Sequence, residues 1–237
     1  MINNLNEFIT EFTKIKEQGW IKTHRSGPTG IGKTLEDLLG IPENNRDEPD
    51  FGDYELKSCR INSQSMLTMF TRTPQPARSN TYLRNKYGYS SSAYDNDEKV
   101  LHSTLTAAKF VPIANTGHSL KIICDENKIS IASETEVENV FWDKAALRKA
   151  FEKKYKNKFV YAKAESRGSG ENEEFYFVDA YEVSGFNYDA FINLLEQGKI
   201  FIDLRIGQYP DGRTHDHGTG FRIRETDQYL LFKNINK

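Results

Sequence analysis

Acidic and basic side chains that could bind a metal ion and act on a phosphate group lie close together between residues 49 and 57. The segment reads Pro49-Asp50-Phe51-Gly52-Asp53-Tyr54-Glu55-Leu56-Lys57. Side chains of a β-strand alternate between its two faces, so Glu55 and Lys57 would share one face. Asp50, at a turn just before this strand, can approach them. Two neighbouring carboxylates repel each other unless a cation lies between them, and oxygen ligands suit Mg²⁺ or Mn²⁺.

These residue types match the needs of phosphodiester hydrolysis. That reaction requires a nucleophilic water, a cation at the phosphoryl oxygen and shielding of the developing negative charge, and a carboxylate-bound metal supplies the first two. Lys57 could orient the water or stabilise the charge. By itself, the pattern fits a solvated strand edge carrying an ion pair equally well.

A second motif, a few residues upstream, matches the phosphate-binding P-loop and reads Gly27-Pro28-Thr29-Gly30-Ile31-Gly32-Lys33-Thr34. A P-loop needs a buried strand before it and a full helix after it. Residues 19–26 are instead polar and basic, and the predicted helix from about Lys33 to Leu39 ends at Gly40. The context disfavours nucleotide binding. Glu36 on this short helix is near enough in sequence to approach the metal site, and a solvated carboxylate is the alternative.

The composition is that of a folded protein. The chain has 237 residues, 37% hydrophobic and 12% aromatic, which is enough for one large domain or two lobes. No stretch has the length of a membrane span, and residues 1–7 lack the features of a signal peptide, so we expect a cytoplasmic protein. Cys59 and Cys124 lack Cys-x-x-Cys spacing, which favours two reduced thiols over a disulfide or zinc site.

The net charge of −2 hides an uneven distribution. Residues 56–94 contain no Asp or Glu, and the basic residues in this stretch are Lys57, Arg60, Arg72, Arg78, Arg84 and Lys86. A cationic segment beside a metal site favours a polyanionic substrate. We therefore expect Arg60, Arg72 and Arg84 to contact nucleic acid. The alternative is that these residues are spread over a solvated surface.

The periodicity of apolar residues predicts a mixture of helices and strands. Helices are expected over about residues 4–18, 80–86, 143–156 and 188–197. Strands are expected at about 53–60, 66–71, 159–164 and 175–183, with a hairpin formed by 119–124 and 128–132. Residues 89–97 have the composition of a loop. This order favours an α/β (α+β) fold built on a central mixed sheet.

A second polar constellation lies near the C-terminus. Asp203 and Arg205 end an apolar strand, and the later residues are Thr214-His215-Asp216-His217-Gly218-Thr219-Gly220-Phe221-Arg222. Arginine bonds guanine bidentately and a carboxylate accepts from the amino group of cytosine, so these residues could read base edges. Two alternatives stay open: a zinc site formed by the two histidines and the aspartate between them, and a hairpin with surface ion pairs.

Taken together, the motifs resemble the MvaI/BcnI family of restriction endonucleases, relatives of the mismatch-repair nickase MutH. The matching runs are Gly27-x-Thr29-Gly30-Ile31-Gly32-Lys33-Thr34-x-Glu36-Asp37-Leu38-Leu39, Pro49-Asp50-Phe51 with Glu55-x-Lys57, Leu67-Thr68-x-Phe70-Thr71, Leu83-Arg84-Asn85-x-Tyr87-Gly88, Asp203-x-Arg205-Ile206-Gly207 and Thr214-His215-Asp216-His217-Gly218-Thr219-x-Phe221-Arg222-Ile223. They cover nearly the whole chain. Within the family, the spelling of residues 214–218 and the Thr71 position are more similar to MvaI than to BcnI.

The resemblance implies a PD-(D/E)xK restriction-endonuclease-like core, in which helices flank a central mixed sheet and two lobes form a DNA-binding cleft. Residues 1–110 would mainly form the catalytic lobe and residues 111–237 the recognition lobe. The family's catalytic positions fall on Asp50, Glu55 and Lys57, with the two carboxylates as ligands of Mg²⁺, which Mn²⁺ can replace. Its supporting carboxylate falls on Glu36. The base-reading positions fall on Asp203, Arg205, His215, Asp216, His217 and Arg222.

The activity implied is that of a monomeric type II restriction endonuclease in a prokaryotic cytoplasm. Such an enzyme would cut duplex DNA one strand at a time at a CCWGG-type (or CCNGG-type) target, with CCWGG favoured over CCSGG. Its partner in the cell would be a cognate DNA methyltransferase, and it would need neither a nucleotide cofactor nor a membrane. A MutH-like nicking repair enzyme is the alternative within the same group. A P-loop NTPase and a non-cleaving DNA-binding protein are the alternatives of other classes.

Overall fold

A computed structural model describes residues 2–42, 48–61, 63, 65–91, 98–156, 158–216 and 218–236. The helices in these ranges are α1 (Leu5–Glu17), α2 (Gly30–Leu39), α3 (Ser79–Tyr87), α4 (Lys144–Tyr155), α5 (Tyr188–Glu196) and α6 (Gln228–Leu231). The strands are β1 (Ile21–Lys22), β2 (Glu55–Arg60), β3 (Leu67–Thr71), β4 (Tyr89–Ser90), β5 (Lys99–Leu105), β6 (Val111–Pro112), β7 (Ser119–Cys124), β8 (Lys128–Ser133), β9 (Val137–Asp143), β10 (Lys158–Arg167), β11 (Glu174–Ser184), β12 (Ile200–Gln208), β13 (Thr214–Asp216), β14 (Gly220–Ile223) and β15 (Asn234–Asn236). None of the described helices is both long and apolar enough to cross a membrane.

The chain forms two compact units, each built from separated segments. Unit 1 consists of Met1–Ser65, Ala150–Asn187 and Tyr229–Lys237, and unit 2 consists of Met66–Lys149 and Tyr188–Gln228. The expected division into 1–110 and 111–237 does not follow these units, because the chain leaves unit 1 after Ser65 and returns to it at Ala150. Local composition gives no sign of such an exchange between units.

Unit 1 contains the mixed sheet that the order of elements predicts. Its strands lie in the order β1-β11-β10-β2, with β15 also paired to β11. Strand β10 runs parallel to β2 and antiparallel to β11. One face of the sheet packs against α1 and α2 in a core that includes Phe8, Leu35, Leu56 and Val160. Helix α1 begins at the N-cap Asn4, whose side chain accepts a hydrogen bond from the backbone of Glu7, and its extent agrees with the helix expected at about 4–18.

Helix α2 begins at Gly30, three residues before the expected start at Lys33. Glycine has a low helix propensity, so the sequence pattern underestimates this first turn. The position nevertheless requires glycine, because a Cβ atom at Gly30 would lie 2.3 Å from the carbonyl oxygen of Arg25. The helix ends at Gly40, which adopts a left-handed conformation with φ of 68°.

The other face of the unit 1 sheet is covered by an aromatic cluster at the end of α4. Tyr155 is fully buried, and its ring centroid lies 5.1 Å from Phe151, 5.3 Å from Phe186 and 6.0 Å from Phe159. Phe159 on β10 is the parallel-strand partner of Glu55 on β2. The cluster therefore fixes the last turn of α4 above the start of β2 and excludes water from it.

Unit 2 contains two further sheets, whereas the sequence predicts only one central sheet for the whole chain. The first has the order β3-β14-β12-β5-β4, with β13 also paired to β12, and the second has the order β6-β7-β8-β9. The β7/β8 hairpin and helix α5 occupy the expected positions. Tyr89–Ser90, expected in a loop, form the short strand β4, which pairs with β5. Residues 92–97 of the expected loop lie outside the described residues.

A buried carboxylate joins helix α3 to strand β9 within unit 2. Glu138 is 4% exposed and accepts hydrogen bonds from the hydroxyls of Tyr82 and Tyr87 and, at 3.0 Å, from the ammonium of Lys86. Burial alone would raise the pKa of Glu138, but these donors lower it below its ordinary value of 4.5. The ionised form of Glu138 therefore stabilises unit 2.

Candidate active site and recognition strands

A tight turn brings Asp50 onto the start of strand β2. The backbones of Phe51 and Tyr54 exchange hydrogen bonds of 3.1 and 2.8 Å, and Oδ2 of Asp50 accepts a 2.7 Å bond from the backbone N–H of Leu56. Gly52 within the turn has φ of 51°, and a Cβ there would lie 2.4 Å from the carbonyl oxygen of Asn3. The turn therefore needs a glycine, and it places the Asp50 carboxylate beside the strand.

Strand alternation places Glu55 and Lys57 on one face of β2, as the sequence predicts. The ammonium of Lys57 lies 2.6 Å from Oε1 of Glu55. Leu56, between them, points to the opposite face and into the core with α1 and α2. Glu55 is only 2% exposed, since the aromatic cluster covers its neighbour on β10. Its charge is therefore poorly screened by solvent.

A second lysine, absent from the sequence prediction, also binds Glu55. The ammonium of Lys154, in the last turn of α4, lies 2.8 Å from the same Oε1 atom. The side chains of Lys57 and Lys154 are each 19% exposed. Nothing in the local sequence around Lys154 indicates this contact, which depends on the packing of α4 over the sheet.

The two carboxylates fit a divalent cation. Burial and the nearby negative charge of Glu55 raise the pKa of Asp50 to about 6, although the Leu56 N–H and the two lysines act in the opposite direction. Oε2 of Glu55 is buried and has no hydrogen-bond partner among the described residues. A cation held by Asp50 and Glu55 would reduce the repulsion between the two carboxylates and give Oε2 of Glu55 a partner. No group of three His, Cys, Asp or Glu side chains arranged for a metal occurs in the described part of the chain.

Among the described residues, Glu36 does not form a three-carboxylate metal cluster with Asp50 and Glu55. Glu36 is half-buried on α2, and its backbone carbonyl accepts the N–H of Ile41 at the helix end. The lysine of the P-loop-like run, Lys33, lies 2.7 Å from Oδ1 of Asp37 one helical turn later. The strand before this run is the two-residue β1, which differs from the buried strand that a P-loop requires.

The arginines of the acid-free tract occupy different environments. Arg60 binds both oxygens of Glu173 at 2.6 and 2.8 Å and donates to the carbonyls of Gly27 and Pro28. It therefore anchors the glycine-rich loop to the end of β2. These contacts give no support to the expected DNA contact by Arg60, because they already engage its guanidinium nitrogens.

Arg84 is also a structural residue by its contacts, whereas Arg72 is exposed. Arg84 is 4% exposed, and its guanidinium donates to the carbonyl of Gly207 and to the side chain of Asn85. Burial lowers its pKa. The backbone of Arg72 is fixed by Thr219 and Trp142, and its side chain lies at the surface. The tract is therefore not one continuous cationic surface.

The predicted base-reading residues of β12 and β14 form one cluster in unit 2, centred on the buried carboxylate of Asp203. Asp203 is 3% exposed. Its Oδ2 accepts bonds from Arg205 at 3.0 Å and from Arg222 at 2.7 Å, and its Oδ1 accepts a 2.6 Å bond from the hydroxyl of Thr104. Arg222 also donates to the carbonyl of Met66. Asp203 thus holds two arginines, and Thr104, its pairing partner on β5, is a member of the site that the sequence did not indicate.

The segment after β12 forms a hairpin in which Asp216 is already hydrogen bonded. One oxygen of Asp216 accepts a bond from the side-chain amide of Asn80, and the other accepts a 2.8 Å bond from the backbone of Gly218. The ring of His215 lies 4.5 Å from that of Tyr209. His217, also expected in this group, lies outside the described residues. Asp216 therefore connects the hairpin to α3 through Asn80.

Comparison with known families agrees with this arrangement. The model of the MvaI/BcnI restriction endonuclease family matches residues 9–232. The chain belongs to this family. It is accordingly a type II restriction endonuclease, a site-specific deoxyribonuclease, and the resemblance inferred from the motifs is confirmed.

Two solved structures of MvaI are similar to this member of the MvaI/BcnI family over essentially its whole length. The structure described as "Restriction endonuclease MvaI-cognate DNA substrate complex" is 31% identical, has a TM-score of 0.86 and is covered over 99% of each chain. "Restriction endonuclease MvaI in the absence of DNA" is 30% identical, with a TM-score of 0.59 and coverage of 100% of this chain and 99% of that chain. A search of curated proteins found no significant match.

Membership of the MvaI/BcnI family bears on the fold and on the metal. The similarity to MvaI confirms the expected restriction-endonuclease-like α+β fold. Restriction endonucleases generally use divalent metal ions, and the carboxylate pair of Asp50 and Glu55 is chemically suited to hold one.

Proposed function

We propose that this enzyme binds duplex DNA and hydrolyses its phosphodiester bonds with Mg²⁺ held by Asp50 and Glu55. The observation that carries the proposal is the pair of neighbouring carboxylates formed by Asp50, at the turn before β2, and Glu55 on β2. Oε2 of Glu55 is buried and has no hydrogen-bond partner in the described residues, and Lys57 lies on the same face as Glu55. The similarity to MvaI, which was solved with cognate DNA, supports duplex DNA as the substrate.

In this mechanism Lys57 acts beside the carboxylates. Mg²⁺, when bound, would polarise the phosphoryl oxygen and lower the pKa of a bound water. Lys57 moves from Glu55 to donate a hydrogen bond to the attacking water or to a non-bridging phosphate oxygen, where negative charge develops. Glu36 is assigned a supporting role from its position in the family motif.

Sequence recognition is assigned to unit 2. Arg205, whose side chain is 44% exposed, has its orientation fixed by Asp203 and can present its guanidinium to the N7 and O6 atoms of guanine. Arg222, held by the same carboxylate, and the hairpin residues His215, Asp216 and His217 are the other proposed readers. We assign a CCWGG-type target, because residues 214–218 and the Thr71 position are more similar to MvaI than to BcnI.

The enzyme is further proposed to act as a monomer that cuts one strand at a time. A chain with one Asp50–Glu55–Lys57 set can attack one phosphodiester in each bound orientation. Host DNA carrying the same target would then need protection by a cognate methyltransferase in the same cell. A MutH-like nickase would differ in its product, because it would leave nicked circles without proceeding to linear DNA.

The test is cleavage of an unmethylated supercoiled plasmid in Mg²⁺ by the wild type and by Asp50→Ala. We expect the wild type to form nicked circles and then linear DNA with ends inside CCWGG, and Asp50→Ala to form neither while still shifting target DNA in a gel with Ca²⁺. Asp53→Ala, which removes an exposed carboxylate from the same turn, is the matched control and should cleave normally. Full cleavage by Asp50→Ala would refute the assignment, and other mapped ends would refute the target.

A further inference from the structure

The last turn of α4 delivers Lys154 to the active site from a rigid position. Ala150 and Phe151 return the chain to unit 1, and Tyr155 is fully buried in the aromatic cluster. Lys154, beside Tyr155, extends to Glu55 with most of its side chain covered. The placement of its ammonium is therefore set by the core of unit 1 and not by a mobile surface segment.

The two oxygens of Glu55 have unequal surroundings. Oε1 accepts from both Lys57 and Lys154, at 2.6 and 2.8 Å. Oε2 is buried and lacks a hydrogen-bond partner within the described residues. A buried carboxylate oxygen is costly to leave without a donor. If Lys57 were the donor to Oε1 without Lys154, its departure toward the phosphate would leave that oxygen unsatisfied.

We propose that Lys154 is a positioning residue of the active site. It keeps donating to Oε1 of Glu55, so that Oε2 faces the metal and Lys57 can leave Glu55 to act on the phosphodiester. This inference rests on the proposed function for the roles of Glu55 and Lys57. Lys154 acts through Glu55 and does not itself contact the reacting atoms.

The loss of Lys154 has opposite effects on metal binding and on cleavage. Its positive charge repels a divalent cation bound at Asp50 and Glu55, so a neutral residue there strengthens metal binding. The same change leaves Lys57 as the donor to the buried oxygen, which holds Lys57 back from the phosphate and slows the chemical step. A residue that merely supports the fold would weaken both properties together.

The experiment compares Lys154→Met with the wild type and with Lys153→Met. Lys153 is the adjacent residue on α4 and pairs at 3.2 Å with Glu48, with both side chains about half exposed, so its replacement is the matched control. Binding of Mn²⁺ to the DNA-free protein is measured by electron paramagnetic resonance. Single-turnover cleavage is measured at saturating Mg²⁺ with the enzyme in excess over DNA, and the Kd for target DNA is measured in Ca²⁺.

For Lys154→Met we expect Mn²⁺ affinity to rise by about threefold or more and the cleavage rate to fall by about tenfold or more, with the Kd for DNA unchanged. Lys154→Arg keeps the charge and should restore most of both properties. Lys153→Met should match the wild type. If Lys154→Met does not fold, Lys154→Leu, which also removes both the donors and the charge, has the same expected changes.

Cleavage at the wild-type rate by the neutral variants would overturn the proposal. So would slower cleavage without tighter Mn²⁺ binding, because that result would describe a residue that only supports the fold. These failures differ from failure of the proposed function, in which the wild-type protein itself would not cleave DNA in Mg²⁺. The Mn²⁺ measurement is made without DNA and stands apart from cleavage.

Discussion

Replacing Asp203 by asparagine tests whether this residue reads a base or holds the arginines that do. Both of its oxygens are already engaged, by Thr104, Arg205 and Arg222, and the residue is 3% exposed. Asparagine has the same shape but no charge, and only one of its two terminal atoms can accept a hydrogen bond. Arg205 and Arg222 would therefore lose the charged acceptor that fixes their orientation, while their own charges remain.

The size of the effect follows from these contacts. A bidentate arginine–guanine pair contributes about 1–3 kcal/mol of base discrimination. Because Asp203→Asn disturbs the orientation of the arginines and leaves them present, we expect a loss of about 1–2 kcal/mol, or roughly 5- to 30-fold in discrimination. The pair with Arg222, whose side chain is 21% exposed, should dominate, and the pair with the 44% exposed Arg205 is weakened by solvent.

The assay is the single-turnover cleavage rate on short duplexes that carry either the target or one substituted G·C pair. Thr104→Val is the control, because it removes only the hydroxyl donor to Oδ1 and leaves both arginines bound to Asp203. We expect it to lower the free energy of unfolding by about 1 kcal/mol while preserving discrimination. Combining Asp203→Asn with Arg205→Ala should cost less discrimination than the sum of the two. Unchanged discrimination in Asp203→Asn, or an equal loss in Thr104→Val, would refute the reasoning.

Two further predictions concern stability. Replacing Glu138 by glutamine should lower the free energy of unfolding near pH 7 by about 2–3 kcal/mol, because buried donors lose a charged acceptor. Since the pKa of Glu138 is lowered in the folded protein, the wild type loses this stabilisation as the pH falls below about 4.5. Urea titrations should therefore show that the difference in free energy of unfolding between the wild type and Glu138→Gln shrinks below that pH. A difference that does not change with pH would contradict this. Arg60→Ala should destabilise the protein by about 2 kcal/mol, since Glu173 is 8% exposed and loses its partner, yet leave target preference unchanged. A changed cleavage pattern would instead indicate that Arg60 contacts DNA.

The elements that position the candidate site were largely predictable, because local periodicity decides them. The alternation at Glu55 and Lys57, the helix spacing of α1 and α4 and the β7/β8 hairpin each follow from residues close in sequence. The exception at the start of α2 has a tertiary cause. Gly30 lies so close to the carbonyl of Arg25 that no side chain fits at this position. Helix propensity alone, by contrast, predicts that a glycine here disfavours the helix.

Side-chain partners across the fold were less predictable. Arg60 and Arg84 lie in the same acid-free tract as Arg72, yet Arg60 pairs with Glu173 and Arg84 is buried beside Gly207, while Arg72 is exposed. Composition records that a segment is basic, but the direction of each side chain depends on which strand becomes its neighbour. The division of the chain into units is decided in the same way.

The sequence by itself determined the chemical core of this protein: a carboxylate and a lysine on one face of a strand, a second carboxylate at the turn before it, and the motifs of a restriction endonuclease family. Those features need only the fixed geometry of a strand and a turn. Tertiary structure alone decided that Lys154 contacts Glu55 and that the carboxylate of Asp203 accepts hydrogen bonds from two arginines and Thr104. Such contacts arise when segments distant in sequence bury a common core, and no local sequence pattern predicts how that core packs.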